Sequence, residues 1–234
     1  MAKRKAIAKM AQNAVNVVDG AYVNFVSNLN TGRDKASHGQ FLRDGIIPDF
    51  ELESIYQDWL AKRIINRPVS DSLRAGWYFS GLNDEELTKL NNACTRIELV
   101  PRVIRLLILT RLYGRAYMVI GVNDGKSLVD ELDVSQLRTD GLLFLTVLKK
   151  SQVEIDDKDL LKPEEAAGLM NQPRYYKMKR AAGGYERIHH SRIICMRNGE
   201  EEEPVFQAIK GALRNYAGTN AGAASLAHEA TVDV

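Results

Sequence analysis

The sequence predicts an α+β fold in which helices pack on a small mixed or antiparallel sheet. Three observations carry this. A capped helix is followed by a more apolar helix that stops at a glycine and runs straight into a β-branched strand, "RVIRLLILTRLYG" then "AYMVIGV". The second half of the chain holds short apolar runs separated by turn residues. From Pro204 the periodicity returns to that of a helix.

The chain of 234 residues is long enough for one large domain or two small ones. Hydrophobic residues are 45% and charged residues 26%, the balance of a globular protein. Net charge is +2, less lopsided than expected for a protein with a broad nucleic-acid-binding face. Locally the charge is uneven. "MAKRKAIAKM" is basic and acid-free, whereas Glu200–Glu203 form an acidic block expected to be solvated, or to meet a basic neighbour in an assembly. Cys94 and Cys195 form no CxxC and sit among apolar neighbours, so buried, reduced thiols are expected.

Residues 11–48 carry little periodicity, and "NLNTGRDKASHGQF" (residues 28–41) reads as a long polar loop. The first helix follows "PDF": Leu52, Ile55, Tyr56, Trp59, Leu60 and Ile64 recur at three- and four-residue steps. Asp49 is placed to cap it, and Asn66-Arg67-Pro68 to end it. Trp77-Tyr78-Phe79 suit a short extended segment packed on the core. Asn83 and Glu86 form a capping box, with Leu82 and Leu87 as its staple, and that helix runs to about Ile97.

The next helix begins near Pro101, buries Val103, Ile104, Leu107 and Ile108, and stops at Gly114. Arg102 and Arg105 fall off that stripe. Arg111, in the last turn, favours the helix dipole and can snorkel. "RLLILTRLYGRAYMVIGV" is the most apolar run, but it cannot cross a bilayer. A span needs about 20 apolar residues, and each of its three arginines costs about 2.5–3.5 kcal/mol near the bilayer centre. Strand "AYMVIGV" ends at Asn123-Asp124-Gly125, a hairpin-turn signal. "LLFLTVL" and "QVEI" are further strands, and a polar insertion with Asp156-Asp157 follows. "RYYKMKR", the turn "AAGG" and "YERIHHSRIICM" read as a hairpin and one more strand. The chain closes on "TVDV" in mid-pattern, which suggests a truncated or fragmentary chain.

Two stretches invite a chemical reading. "GVNDGKS" approaches a phosphate-binding loop, but only Val122, Asn123 and Asp124 separate Gly121 from Gly125-Lys126-Ser127, one residue too few, and Asp124 sits where phosphates would lie. His189 and Ser191 have the spacing of one half of a two-histidine phosphoesterase, with no second half in the chain. His189 and His190 on one strand would face opposite ways and share no metal. His38 lies in a loop and His228 is isolated. A strand-end histidine pair with a capping serine is the expectation. No catalytic, metal-binding or cofactor-binding residue is assigned, and no cofactor is expected.

Several stretches together resemble the portal proteins of tailed bacteriophages and prophages. They are "DGAYVNFVSNLNTGRDKASHGQF", "YQDWLAKRIINRPVSDSLRAGWYF", "RLLILTRLYGRAYMVIGV", "IHHSRII" and "ASLAHEATVDV", in that order. At "IHHSR" the family usually has a proline where this chain has His190. The resemblance implies the wing portion of a structural subunit. Residues 1–48 would be an arm and long loop, 49–203 the α+β wing-like core, and 204–234 a helical segment leading to a missing stem. It implies a homo-oligomeric ring, typically a dodecamer, at the portal vertex of the virion, assembled in the host cytoplasm. The implied partners are the terminase large subunit, capsid and head–tail adaptor proteins, and double-stranded DNA passing non-specifically through the channel; no membrane is involved. The DNA-contacting residues are unassigned. The same family carries an anti-CBASS label, by association with phosphodiesterases that cut cyclic nucleotides. That leaves two alternatives: an anti-CBASS-type protein, or a truncated prophage remnant without activity.

Overall fold

The fold was analysed in a computed structural model, which describes residues 45–137, 141–155, 160–161, 172–180 and 183–232. The expected arm, the 28–41 loop with His38, Asp156-Asp157 and most of the polar insertion, and the last two residues lie outside the described residues. The described residues hold five helices and six strands, in the α+β arrangement expected.

Helix α1 (Asp49–Ile55) and helix α2 (Trp59–Leu73) replace the single helix expected there. The break has a local cause. Asp58 takes an extended conformation and its carboxylate accepts the Leu60 and Ala61 N–H groups, so it caps a new helix. Asp49 therefore lies inside the first turn of α1, where its charge favours the dipole, and is not a cap.

Pro68 does not end α2, which continues through it to Leu73. A proline inside a helix leaves the carbonyl four residues earlier without its donor. Here that carbonyl belongs to Ile64. Arg111 of a neighbouring helix donates through Nη2 to Ile64 O and through Nε to Ile65 O, both at 3.2 Å. A side chain from another element thus repairs the gap.

Helix α3 (Asp84–Arg96) starts with both halves of the Asn83–Glu86 capping box formed, at 2.8 and 3.2 Å. Leu82 stays 44% exposed, so the staple side of this cap is weak. The aromatic run before it is not a core segment. Residues 75–80 are irregular, and Tyr78 is 89% exposed.

Helix α4 (Leu99–Tyr113) ends at Gly114 in the left-handed region, φ 81°. Its buried residues are Leu106, Thr110, Leu112 and Tyr113, while the expected stripe of Val103, Ile104, Leu107 and Ile108 is only half-buried. The helix is apolar nearly all round, so periodicity does not single out the face that α2 and the sheet select.

Strand β1 (Arg115–Val122) lies at the centre of an antiparallel sheet ordered β2-β1-β6, with β2 spanning Leu142–Lys149 and β6 Ile193–Arg197. Strands β3 (Val153–Ile155), β4 (Tyr175–Lys179) and β5 (Tyr185–His189) form a second antiparallel sheet in that order. Strands β1 and β2 pair as expected, but no tight hairpin joins them. Asn123-Asp124-Gly125 opens a long connection that returns at Gly141, where Asn123 N–H donates to Gly141 O at 2.7 Å.

Both faces of β1 are covered. Ala116 and Met118 pack with Leu106, Leu145 and Val147 on the helix side. Tyr117 and Val119 pack with Leu148, Val153, Tyr176, Ile188 and Ile193 on the side of the second sheet. A third cluster joins the helices: Ile47, Leu52, Ala61, Ile65, Leu112, Tyr113 and Phe206. Helix α5 (Val205–Val232) contributes Phe206 to it, with Ile209 and Leu213 packed alongside. Beyond Tyr216 the residues of α5 whose side chains are described are exposed.

Candidate functional site

The two stretches singled out for chemistry come together in space. Strand β5 ends at His189, the next three residues form a single 3-10 turn (His190–Arg192), and β6 begins. This turn grips the connection that leaves β1. His189 N–H donates to Leu128 O at 2.8 Å. Ser191 Oγ accepts from Leu132 N–H at 2.9 Å. Arg192 donates through Nε to Asp130 O at 2.7 Å, and through Nη2 to Glu131 O and to the carboxylate of Asp124.

Arg192 is 1% exposed, and Asp124 is buried beside it. Water is shut out, so each charge depends on the other. The Arg192 hydrogen bond holds the Asp124 pKa down at about 2, against the opposing effect of desolvation. Asp124 also accepts the Lys126 N–H at 3.1 Å.

The Gly-Lys-Ser run does not cradle a phosphate in this geometry. Its donors are turned onto the chain's own carboxylates. Lys126 Nζ pairs with Asp133 at 3.2 Å, and Ser127 donates through N–H and Oγ to Asp130 at 3.0 and 2.8 Å. Asp124, the acid that spoils the phosphate loop in sequence, is the residue around which this loop folds.

His189 and Ser191 also find structural work. The His189 Nδ1 lies 2.8 Å from Ser191 Oγ and accepts the Ser191 N–H at 3.4 Å, so the histidine caps the turn, not the serine. Burial lowers the His189 pKa, and the neighbouring His190 adds to this. A neutral ring is what an acceptor at Nδ1 requires. The opposite-face argument for the histidine pair fails, because His190 has already left the strand. The two rings sit 4.4 Å apart, centroid to centroid. Among the described residues, no group of three or more His, Cys, Asp or Glu is placed to hold a metal. Cys94 and Cys195 are free and half-buried, less enclosed than expected.

A second charged cluster corrects the reading of the acidic block. Glu200, Glu201 and Glu203 are exposed, but Glu202 turns inward in a left-handed conformation, φ 54°. It pairs with Arg115 and, at 3.3 Å, with Arg197. The basic neighbour is in the same chain. This contact holds the β6–α5 corner against the start of β1. Nothing local in the sequence distinguishes Glu202 from its neighbours; only the antiparallel pairing of Arg115 with Arg197 brings its two partners together.

Comparison with known families places this architecture. The family described as "Phage portal protein" matches residues 50–234. The chain belongs to the phage portal protein family. Relatives of this portal-family chain include a protein of Sphingomonas paeninsulae named "Anti-CBASS protein Acb1". It is 29% identical over 226 residues, covering 90% of this chain and 35% of that protein. A protein of the same name from Caulobacter sp. (strain RHG1) is 27% identical over 223 residues, covering 89% of this chain and 35% of its own length. The chain therefore spans about a third of the length of these two relatives. No described helix of the portal-family chain is long and apolar enough to cross a membrane.

Proposed function

We propose that this chain is the wing part of a portal subunit, a structural element of the ring through which a phage genome enters and leaves its capsid. The observation that carries the reading is the family match over residues 50–234. The geometry supports it in two ways. The donors of the Gly-Lys-Ser loop are engaged on the chain's own carboxylates, and the Ser191 hydroxyl accepts the Leu132 N–H, so both hold the chain's own turn. The distal part of α5 projects with exposed small residues, as suits a segment that meets something outside the described fold.

In this reading residues 49–203 are the wing core, 204–234 lead towards the stem, and 1–48 form an arm. The ring assembles from copies of the protein and passes double-stranded DNA. Terminase, capsid and adaptor proteins dock on it, and the subunit performs no hydrolysis. The protein expressed from its complete gene is expected to form a closed ring by mass photometry, and a strict monomer would overturn the reading.

The names of the relatives favour a second reading, an anti-CBASS role. The assay that separates the two is hydrolysis of cyclic dinucleotides. No turnover is expected. Turnover abolished by His189→Ala or Lys126→Ala would establish the second reading against the first.

A further inference from the structure

The net charge of +2 conceals a segregation. Between Arg174 and Arg197 the sequence has seven Lys and Arg and one acid, Glu186. This segment alone carries six positive charges in excess, so the remainder of the chain is net negative. Part of that excess is matched inside the fold, Arg192 by Asp124 and Arg197 by Glu202, so what is left for a polyanion partner is the local cluster on the β4–β5 sheet.

The second sheet decides where much of this charge points. Tyr176, Met178 and Ile188 face the core beneath it. Side chains alternate along a strand, so Tyr175, Lys177 and Lys179 of β4, with Tyr185 and Arg187 of β5, lie on the opposite, outward face. The register sets Lys177 directly across from Arg187, and Lys179 across from Tyr185. Like charges directly opposite on a sheet are destabilising. Glu154 of β3 offsets them, lying directly across from Lys177 and pairing with Lys179 at 3.2 Å. The row across the sheet thus reads Glu154, Lys177, Arg187, and the outward face keeps three cations against one carboxylate.

The aromatic residues narrow the partner. The Arg187 guanidinium lies over the Tyr175 ring, 4.2 Å from its centroid, which presents a cation on a flat platform. Tyr185 is 53% exposed, and its hydroxyl is tethered to Glu154 at 3.0 Å, so its ring is held in place facing solvent. Cations two residues apart on a strand stand about 7 Å apart, and sheet faces that mix such cations with open aromatic rings bind unpaired nucleotides. An acidic peptide would use the cations but would leave the Tyr185 ring with nothing to stack on. A duplex would present phosphates but no free base.

We propose that the outward face of the β3-β4-β5 sheet binds single-stranded nucleic acid. Lys177, Lys179 and Arg187 take the phosphates, and Tyr185 stacks a base. The inference goes beyond the portal reading and does not depend on ring formation, so either can fail alone.

The test is fluorescence anisotropy with a labelled 20-nucleotide oligothymidylate and this chain, from 50 to 200 mM salt. Saturable binding is expected, with log K falling against log salt at a slope of about −2, the value for three phosphate contacts on a single strand. Lys179→Glu with Arg187→Glu should abolish it, and the milder Lys177→Gln with Lys179→Gln should flatten the slope, in each case with a cooperative urea transition retained. Tyr185→Ala should weaken binding about tenfold, the scale of one lost base stack. The basic N-terminus is present in every variant, so a difference between variants belongs to the sheet. Equal binding by the variants, a matched duplex bound as tightly as the single strand, or polyglutamate bound as tightly as the oligonucleotide would each overturn the proposal.

Discussion

At the scale of single residues, Gly114 bears two demands at once. Its φ of 81° is left-handed, and a Cβ there would stand 1.8 Å from the carbonyl oxygen of Glu202. Gly114→Ala should cost roughly 1–3 kcal/mol for the backbone strain alone, and more for the collision, since the obstacle is main chain. The urea midpoint measures it. Its role as a helix stop is legible in sequence, because a glycine at the end of an apolar helix is a local signal. Its contact with Glu202 is not, because those residues meet only after the sheet has formed. Asp124 makes the same point through charge. Its folded pKa of about 2 lies below the ordinary carboxylate value near 4. A depressed carboxylate adds stability that is complete above the unfolded value and is lost as pH falls through the folded one. The urea midpoint should therefore drop between about pH 4 and pH 2. Asp124→Asn should lower the midpoint at pH 7, by leaving Arg192 buried without its counter-charge, and should flatten the acid-dependent part of the profile.

Among the elements, α2 shows how a local rule is overruled. Pro68 signals a helix end, and the missing donor is real. The helix survives because Arg111, on α4, supplies donors to Ile64 and Ile65. Arg111→Ala should destabilise the protein by about 1–3 kcal/mol, the cost of leaving the half-buried Ile64 carbonyl unsatisfied. In a Pro68→Ala background the Ile64 carbonyl regains its own donor. The cost of Arg111→Ala should then shrink, and a double-mutant cycle in urea reads that coupling. The Asn83–Glu86 box, by contrast, is visible three residues apart and forms as expected. The difference is sequence distance: the cap closes within one turn, whereas Arg111 lies 46 residues from Ile65. The aromatic run Trp77-Tyr78-Phe79 fails for a related reason. Local composition favours burial, but no layer of the described fold covers Tyr78.

For the whole molecule, the α+β class and the alternation of helix and sheet segments follow from patterns along the chain, and the match to portal proteins agrees with them. The pairing of distant parts does not. The Gly-Lys-Ser loop and the His189–Arg192 turn were two separate stretches in sequence, and they are one latch in space. The distal half of α5 also belongs at this scale. Beyond Tyr216 its described side chains are exposed, and an unsupported helix segment of that length is marginal in water. Removing residues 218–234 should leave the unfolding free energy read from urea within about 0.5 kcal/mol of the parent, the range for changes away from packed features. In the monomeric chain, amides beyond Tyr216 should exchange hydrogen far faster than those of β1.

The central place of β1 has a consequence during synthesis. Its neighbour β6 pairs Arg197 with Arg115, 82 positions earlier. At about 5–20 residues per second a ribosome takes roughly 4–16 s to make that partner. For the part of this interval after β1 has left the ribosome, the central strand of the sheet stands with its β6 edge unmatched. A nascent chain stalled before Ile193 therefore lacks the partner for that edge, and a slow-codon run placed just before Ile193 is expected to lower the soluble yield in cells.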